Sequence, residues 1–140
     1  MATQASPALL HKFLGIGLGA VAVVFLVLRS RGIPEVLPPG QATTTLAYGM
    51  CAIGVVMAAV ALLFMRRRVP VRRPGQSEEQ YWMRPEVVTA VLPVWLLLEG
   101  ACILAAVGYL MTAEPVTAIT AGILIGLYWL NGPSSFTKVS

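Results

Sequence analysis

Residues 87–111, VVTAVLPVWLLLEGACILAAVGYLM, carry one ionisable residue, Glu99, in the middle of an apolar run. A helix of about 25 residues, at 1.5 Å per residue, crosses a hydrocarbon core roughly 30 Å thick, so Glu99 is placed near the bilayer midplane. A carboxyl group at that depth is costly to insert and normally faces a helix bundle, a cavity or a partner. We therefore take Glu99 as the candidate ion-binding residue. The alternative is that Glu99 is protonated and only joins helices by hydrogen bonding.

The composition is that of a multi-pass membrane protein. Of the 140 residues, 57% are hydrophobic and 11% are charged, whereas about 25% of the residues of a soluble domain are charged. The formal net charge is +4, but the arginines lie between apolar runs with few aromatic residues among them. We expect the lipid bilayer as a partner and no nucleic acid.

Four apolar runs predict an all-α, four-helix transmembrane bundle that forms one domain over residues 1–140. The spans are expected at about 9–28, 46–65, 87–111 and 116–130, with a basic loop over 66–84. Eight lysines and arginines fall on the side of both termini and this loop, and two, Arg29 and Arg31, fall on the other. The positive-inside rule then predicts cytoplasmic termini, in the cytoplasmic (inner) membrane.

Small residues recur at helical spacing, which lets two membrane helices approach closely. The expected helix-packing positions are Gly15 and Gly19 in the first span, Gly54 and Ala58 in the second, and Ala118, Gly122 and Gly126 in the fourth. Their number favours contacts beyond a lone bundle, with further copies of the chain or with other membrane subunits.

The predicted span ends carry aromatic and basic residues. Tyr81 with Trp82, and Tyr128 with Trp129, are expected as interfacial anchors. The candidates for contacts with anionic lipid headgroups are Arg66, Arg67, Arg68, Arg72 and Arg73. Retention of this loop on the cytoplasmic side explains the same cluster without lipid specificity.

No basic residue is expected at the depth of Glu99, because the arginines fall at helix ends. Desolvation then disfavours the charged carboxylate, and we expect Glu99 to be protonated unless water or a cation reaches it. The supporting positions are Trp95 and Cys102 beside it on the helix, Pro93 two turns before it, and, as hydrogen-bond partners, Thr120 or backbone carbonyls near Gly54 and below Pro93.

The residue inventory argues against an enzyme. The sequence offers no nucleophile paired with a base, no metal-ligand cluster and no cofactor motif. Cys51 and Cys102 both fall inside apolar runs without a CxxC pattern, so we expect them to be small packing residues. We therefore expect no catalytic residues, no bound metal and no cofactor.

The central hairpin resembles the proton-carrying c subunit of rotary ATP synthases. The resemblance rests on a Gly/Ala-rich helix over 47–61, a loop with Arg73-Pro74 and Arg84-Pro85, and a helix with Leu98-Glu99-Gly100-Ala101. In that family a carboxylate in the second hairpin helix binds the transported ion, and the first helix lets copies pack as a ring. The resemblance implies an ion-binding role for Glu99. Small multidrug exporters, with four helices and one essential membrane glutamate, provide a second and weaker similarity.

These observations predict a small oligomerising or complex-associated membrane subunit, in which Glu99 is a protonatable carboxyl that binds a proton or cation. Two alternatives remain open at this point. The chain is either a purely structural or assembly subunit of a larger membrane complex, or a small proton-coupled exporter.

Overall fold

A computed structural model describes residues 6–33 and 36–138, and the regular elements in these ranges are all helical. The elements are α1 (Pro7–Ser30), α2 (Gln41–Ala59), α3 (Glu78–Trp82), α4 (Pro85–Thr112) and α5 (Pro115–Leu130). α2 continues directly into a π-helical turn, Val60–Met65, and a 3-10 turn, Arg66–Arg68. A second 3-10 turn, Pro133–Ser135, follows α5. The prediction of an all-α fold is confirmed.

Three helical segments are long and apolar enough to cross a membrane: Pro7–Ser30, Gln41–Arg68 and Pro85–Thr112. They contain the first three predicted spans and extend beyond them at both ends. α5 is also apolar, but its 16 residues make a helix of only about 24 Å. The fold therefore fits a membrane protein in general, and the fourth span remains a prediction.

α4 is the central helix and packs against α1, α2 and α5. Its buried residues recur at alternating spacings of three and four along the whole helix, which is the seam of a helix bundle. They are Val87, Val91, Val94, Leu98, Ala101, Ala105, Gly108 and Thr112, with Trp95 and Cys102 buried beside the seam. Of the three long apolar helices, α1 is the least buried: 11% of its most apolar stretch is buried in the bundle, compared with 39% for α4.

The predicted small residues take two different positions. An added Cβ at Gly54 would lie 3.3 Å from the Ala101 carbonyl oxygen, and one at Gly15 would lie 2.8 Å from the Trp129 ring, so both glycines are needed for close contacts. Ala58 is buried. The remaining positions, Gly19, Ala118, Gly122 and Gly126, are exposed, and the three glycines among them have open space at the Cβ position. Their expected packing therefore does not occur among the residues that the structure describes.

Each end of the bundle is held together by its own set of contacts. At one end, which we call the loop end, the start of α1 meets the end of α5, and the 66–84 loop meets residues 131–138. At the other end the guanidinium of Arg29 donates to the Leu110 carbonyl, and the backbone amide of Leu37 donates to the Met111 carbonyl at 3.0 Å. Ala113, with φ of 52°, closes the turn between α4 and α5. The four long helices therefore alternate in direction.

Two of the expected interfacial anchors lie elsewhere than predicted. Tyr81 and Tyr128 are both 0% exposed and belong to the hydrophobic core. Trp129 is 50% exposed and Trp82 is partly exposed, as anchors would be. The difference arises because each tyrosine hydroxyl finds a backbone carbonyl as its acceptor inside the fold.

Candidate functional site

Glu99 lies halfway along α4, one position after the fully buried Leu98, and its side chain is half-buried. Within residues 6–33 and 36–138, its carboxyl makes neither an ion pair nor a hydrogen bond. The expected hydrogen bond from Thr120 is not formed, although Thr120 is also half-buried. In the described part of the chain, Glu99 is therefore a carboxyl group without a countercharge.

The surroundings of Glu99 are aromatic and apolar. Trp95 and Cys102, expected beside it, are both buried on the same side of α4. The carboxyl is near enough to Cys102 and to Tyr128 of α5 to interact with both electrostatically. Pro93 lies inside α4, which continues through it. Glu99 therefore lies near the contact between α4 and α5 that contains Tyr128.

A cavity of about 1020 Å³ opens at the loop end of the bundle. The start of α1, the short helix α3, the start of α4 and the segment after α5 form its walls. Its aromatic and charged lining residues are His11, Trp82, Trp129, Lys12, Glu78 and Glu79. We call it the loop-end cavity, and its size is that of a site for a drug-sized molecule.

His11 forms a buried part of the cavity wall and is held by aromatic rings. It is 3% exposed, stacks on Tyr128 with ring centroids 4.5 Å apart, and meets the edges of Trp95 and Trp129 at 4.9 and 5.6 Å. Its Nε2 lies 3.4 Å from the Tyr128 carbonyl oxygen, and the Tyr128 hydroxyl donates to the His11 carbonyl at 2.8 Å. These contacts join α1 to α5.

The chain after α5 is folded against the bundle. The indole Nε1 of Trp95 donates to the Asn131 carbonyl at 2.8 Å, and Phe136 and Thr137 are buried. Trp95, expected as a neighbour of Glu99, therefore also fixes residues 131–137. The sequence pattern indicated only a short polar tail here, since a single phenylalanine among polar residues gives no periodicity.

The arginines of the 66–84 loop divide into two groups. Arg66 donates to the Ser135 carbonyl at 3.1 Å and lies over the Phe136 ring at 4.8 Å. Arg72 donates to the Thr137 and Gln76 carbonyls. The exposed arginines Arg67, Arg68 and Arg73 remain candidates for lipid headgroups.

Tyr81 is a buried residue that holds the 66–84 loop in place. Its hydroxyl donates to the Pro70 carbonyl at 2.8 Å, and the short helix that carries it begins with a capping box between Ser77 and Gln80. Burial raises the pKa of the Tyr81 phenol, and the positive charge of Arg84 partly offsets that effect. The loop is therefore an ordered part of the cavity rim.

Glu99 was a candidate residue from the sequence, whereas the loop-end cavity was not predicted. His11 was a lone histidine, and its ring partners on α4 and α5 lie far away along the chain, Tyr128 by 117 positions. The available sequence signal for this cavity was the pairs of aromatic residues at two predicted span ends, Tyr81 with Trp82 and Tyr128 with Trp129. No group of three or more histidine, cysteine or acidic side chains in the described ranges is placed to hold a metal ion.

No known family, curated protein or solved structure matches this chain. The apolar helices and the composition fit a helical membrane protein in general. The resemblance of its central hairpin to c subunits remains a prediction from the residues quoted above.

Proposed function

We propose that this chain is a membrane subunit that works as an oligomer or inside a larger membrane complex, with Glu99 as a protonatable intramembrane carboxyl. The observation that carries the proposal is the position of Glu99, half-buried on the helix against which the others pack, with no countercharge in the described ranges. Such a group binds and releases a proton when its surroundings alternate between dry and wet.

The exposed small residues support the assembly part of the proposal. Gly122 and Gly126, with Ala118, form a stripe along the outer face of α5, and none of the described residues covers the two glycines. Stripes of this kind let a second helix approach to backbone contact in lipid. The proposed partners are further copies of the chain or other membrane subunits.

The proposed location is the cytoplasmic membrane, with four spans and with the loop end facing the cytoplasm. The supporting observation is that Lys12, the loop arginines and Lys138 lie toward one end of the bundle in the sequence-predicted topology, while Arg29 and Arg31 lie at the other. A cytoplasmic loop end also agrees with the expectation from the c-subunit resemblance.

Two alternatives use the same residues differently. In a purely structural or assembly subunit, Glu99 stays protonated and joins helices by hydrogen bonding to a partner. In a small proton-coupled exporter, proton release from Glu99 is linked to substrate movement. Both alternatives keep the membrane fold, so titration of Glu99 and the composition of the purified complex distinguish them.

The test is labelling with an apolar carbodiimide, which reacts with protonated carboxyls inside membranes. We expect native membranes to show one modified peptide, containing Glu99, whose labelling decreases as the pH rises. E99Q should remove this label and leave the co-purifying partners unchanged, whereas the control E114Q, at the opposite end from the loop, should keep it. Labelling of Glu99 that does not change with pH would support the structural alternative, and absence of labelling would refute the proposal.

A further inference from the structure

An apolar groove on α4 adjoins the loop-end cavity. The groove has a volume of about 500 Å³ and is lined by Val88, Thr89, Leu92, Pro93, Leu96 and Leu97. Val88 and Thr89 line both the cavity and the groove. The two spaces are therefore adjacent along α4.

The two spaces differ in chemistry. The groove residues lie three or four positions apart on one face of α4 and are apolar apart from Thr89. From Val88 to Leu97 the groove runs for roughly 14 Å along the helix axis, and Leu96 is 48% exposed on the face where acyl chains would lie. The cavity, in contrast, carries charges of both signs. This is the shape of a site for an amphiphile, with a polar head and an apolar tail.

The charged residues that line the cavity determine which polar head group of an amphiphile the site prefers. Lys12 supplies one positive charge, and Glu78 and Glu79 supply two negative charges. Glu78 lies 3.8 Å from Arg72, whereas Lys12 and the carboxylate of Glu79 make no ion pair within residues 6–33 and 36–138. An anionic head group would be attracted by Lys12 but repelled by Glu79. A head that carries a phosphate and an ammonium group would complement both residues.

The aromatic residues add a second preference for an ammonium group. Trp82 and Trp129 both line the cavity, and indole rings attract cations over their faces. The Trp129 ring packs directly on Gly15 of α1, where an added side chain would collide with it. These rings lie at the predicted membrane interface, which is where a phospholipid head is found.

We propose that the loop-end cavity and the α4 groove together bind one zwitterionic phospholipid. Its phosphate faces Lys12, its ammonium group faces Glu79 and the Trp82 ring, and one acyl chain lies in the groove past Pro93. Glu99 lines neither the cavity nor the groove, and the lipid proposal does not depend on the function proposed for that residue.

The test is native mass spectrometry of the full-length, delipidated protein, titrated separately with phosphatidylethanolamine, phosphatidylcholine and phosphatidylglycerol. We expect one lipid to bind, with either zwitterionic lipid about fivefold tighter than phosphatidylglycerol. Comparing the two zwitterionic lipids shows whether a primary or a quaternary ammonium is preferred. Equal or tighter binding of phosphatidylglycerol, or binding of many lipids without saturation, would refute the proposal.

Two variants locate the bound lipid. E79Q, at an exposed position, should abolish the preference over phosphatidylglycerol without disturbing the fold. T89W should fill the junction between cavity and groove and weaken binding of all three lipids about tenfold or more. The control V55W adds the same ring on an exposed face of α2 and should leave binding unchanged. If E79Q kept the full preference, the assignment of the ammonium group would be wrong.

Discussion

At Gly54, α2 lies directly against the backbone of α4. A Cβ added there would be 3.3 Å from the Ala101 carbonyl oxygen and 3.4 Å from the Leu124 side chain, while one added at Gly49 of the same helix would meet nothing. A backbone atom cannot rotate away as a side chain can. The absence of a side chain at Gly54 is therefore a packing requirement, not only a matter of composition.

We expect G54L to destabilise the protein by about 2–3 kcal/mol, because the added carbons must separate two packed helices. G49L is the matched control, since both variants gain the same helix propensity from losing a glycine. The free energy of unfolding, measured by titration from mild detergent into SDS, checks the prediction. Equal stabilities of the two variants would contradict the close contact.

The side chain of Tyr128 joins α5 to α1 through a buried hydrogen bond from its hydroxyl to the His11 carbonyl at 2.8 Å. Y128F keeps the ring that stacks on His11 and removes only this donor, so we expect a loss of about 0.5–1.5 kcal/mol. The control is Y48F, because Tyr48 is 58% exposed. The same unfolding titration measures both, and an effect of Y48F as large as that of Y128F would count against the bond.

At the scale of elements, the 66–84 loop and residues 131–138 form one unit. Arg66 and Arg72 donate to carbonyls of the C-terminal segment, and Trp95 donates to its first residue. The basic loop thus holds the C-terminal segment against the bundle. The exposed Arg67 next to Arg66 has no contact with this segment among the described hydrogen bonds.

We expect R66Q to loosen the C-terminal segment, because it removes a charged donor and the cation that lies over Phe136. Amide hydrogen exchange in residues 134–138 should become roughly tenfold faster, while exchange in α4 stays unchanged. R67Q is the control and should behave as the wild type. Unchanged exchange in R66Q would mean that Arg72, Trp95 and Phe136 hold the segment without Arg66.

At the scale of the whole molecule, the alternating helices place the loop and both described chain ends at one end of the bundle. We expect an impermeant maleimide to label G40C in intact cells and to label S77C only after the membrane is opened, with Cys51 and Cys102 replaced by alanine. S134C should behave like S77C. Labelling of S77C and not G40C in intact cells would reverse the proposed orientation.

Much of the helical architecture was predictable, because hydropathy and length are local properties of a segment. The boundaries of α4 differ from the predicted span by two residues at the start and one at the end, and Gly54 was identified as a packing position. The outward direction of Gly122 and the buried positions of Tyr81 and Tyr128 were not predictable. They depend on which face of each helix meets α4, and apolar residues cover nearly every face of these helices.

The sequence by itself determined that the chain is helical and apolar enough for a membrane, and that one acid, Glu99, lies in the middle of its central helix. Only the tertiary structure decided that His11 joins Tyr128, that Arg66 and Arg72 hold the C-terminal segment, and that a charged cavity lies next to a groove beside Pro93. The physical reason is distance along the chain. Helix formation depends on neighbours a few residues apart, whereas a cavity depends on side chains that more than a hundred intervening residues bring together.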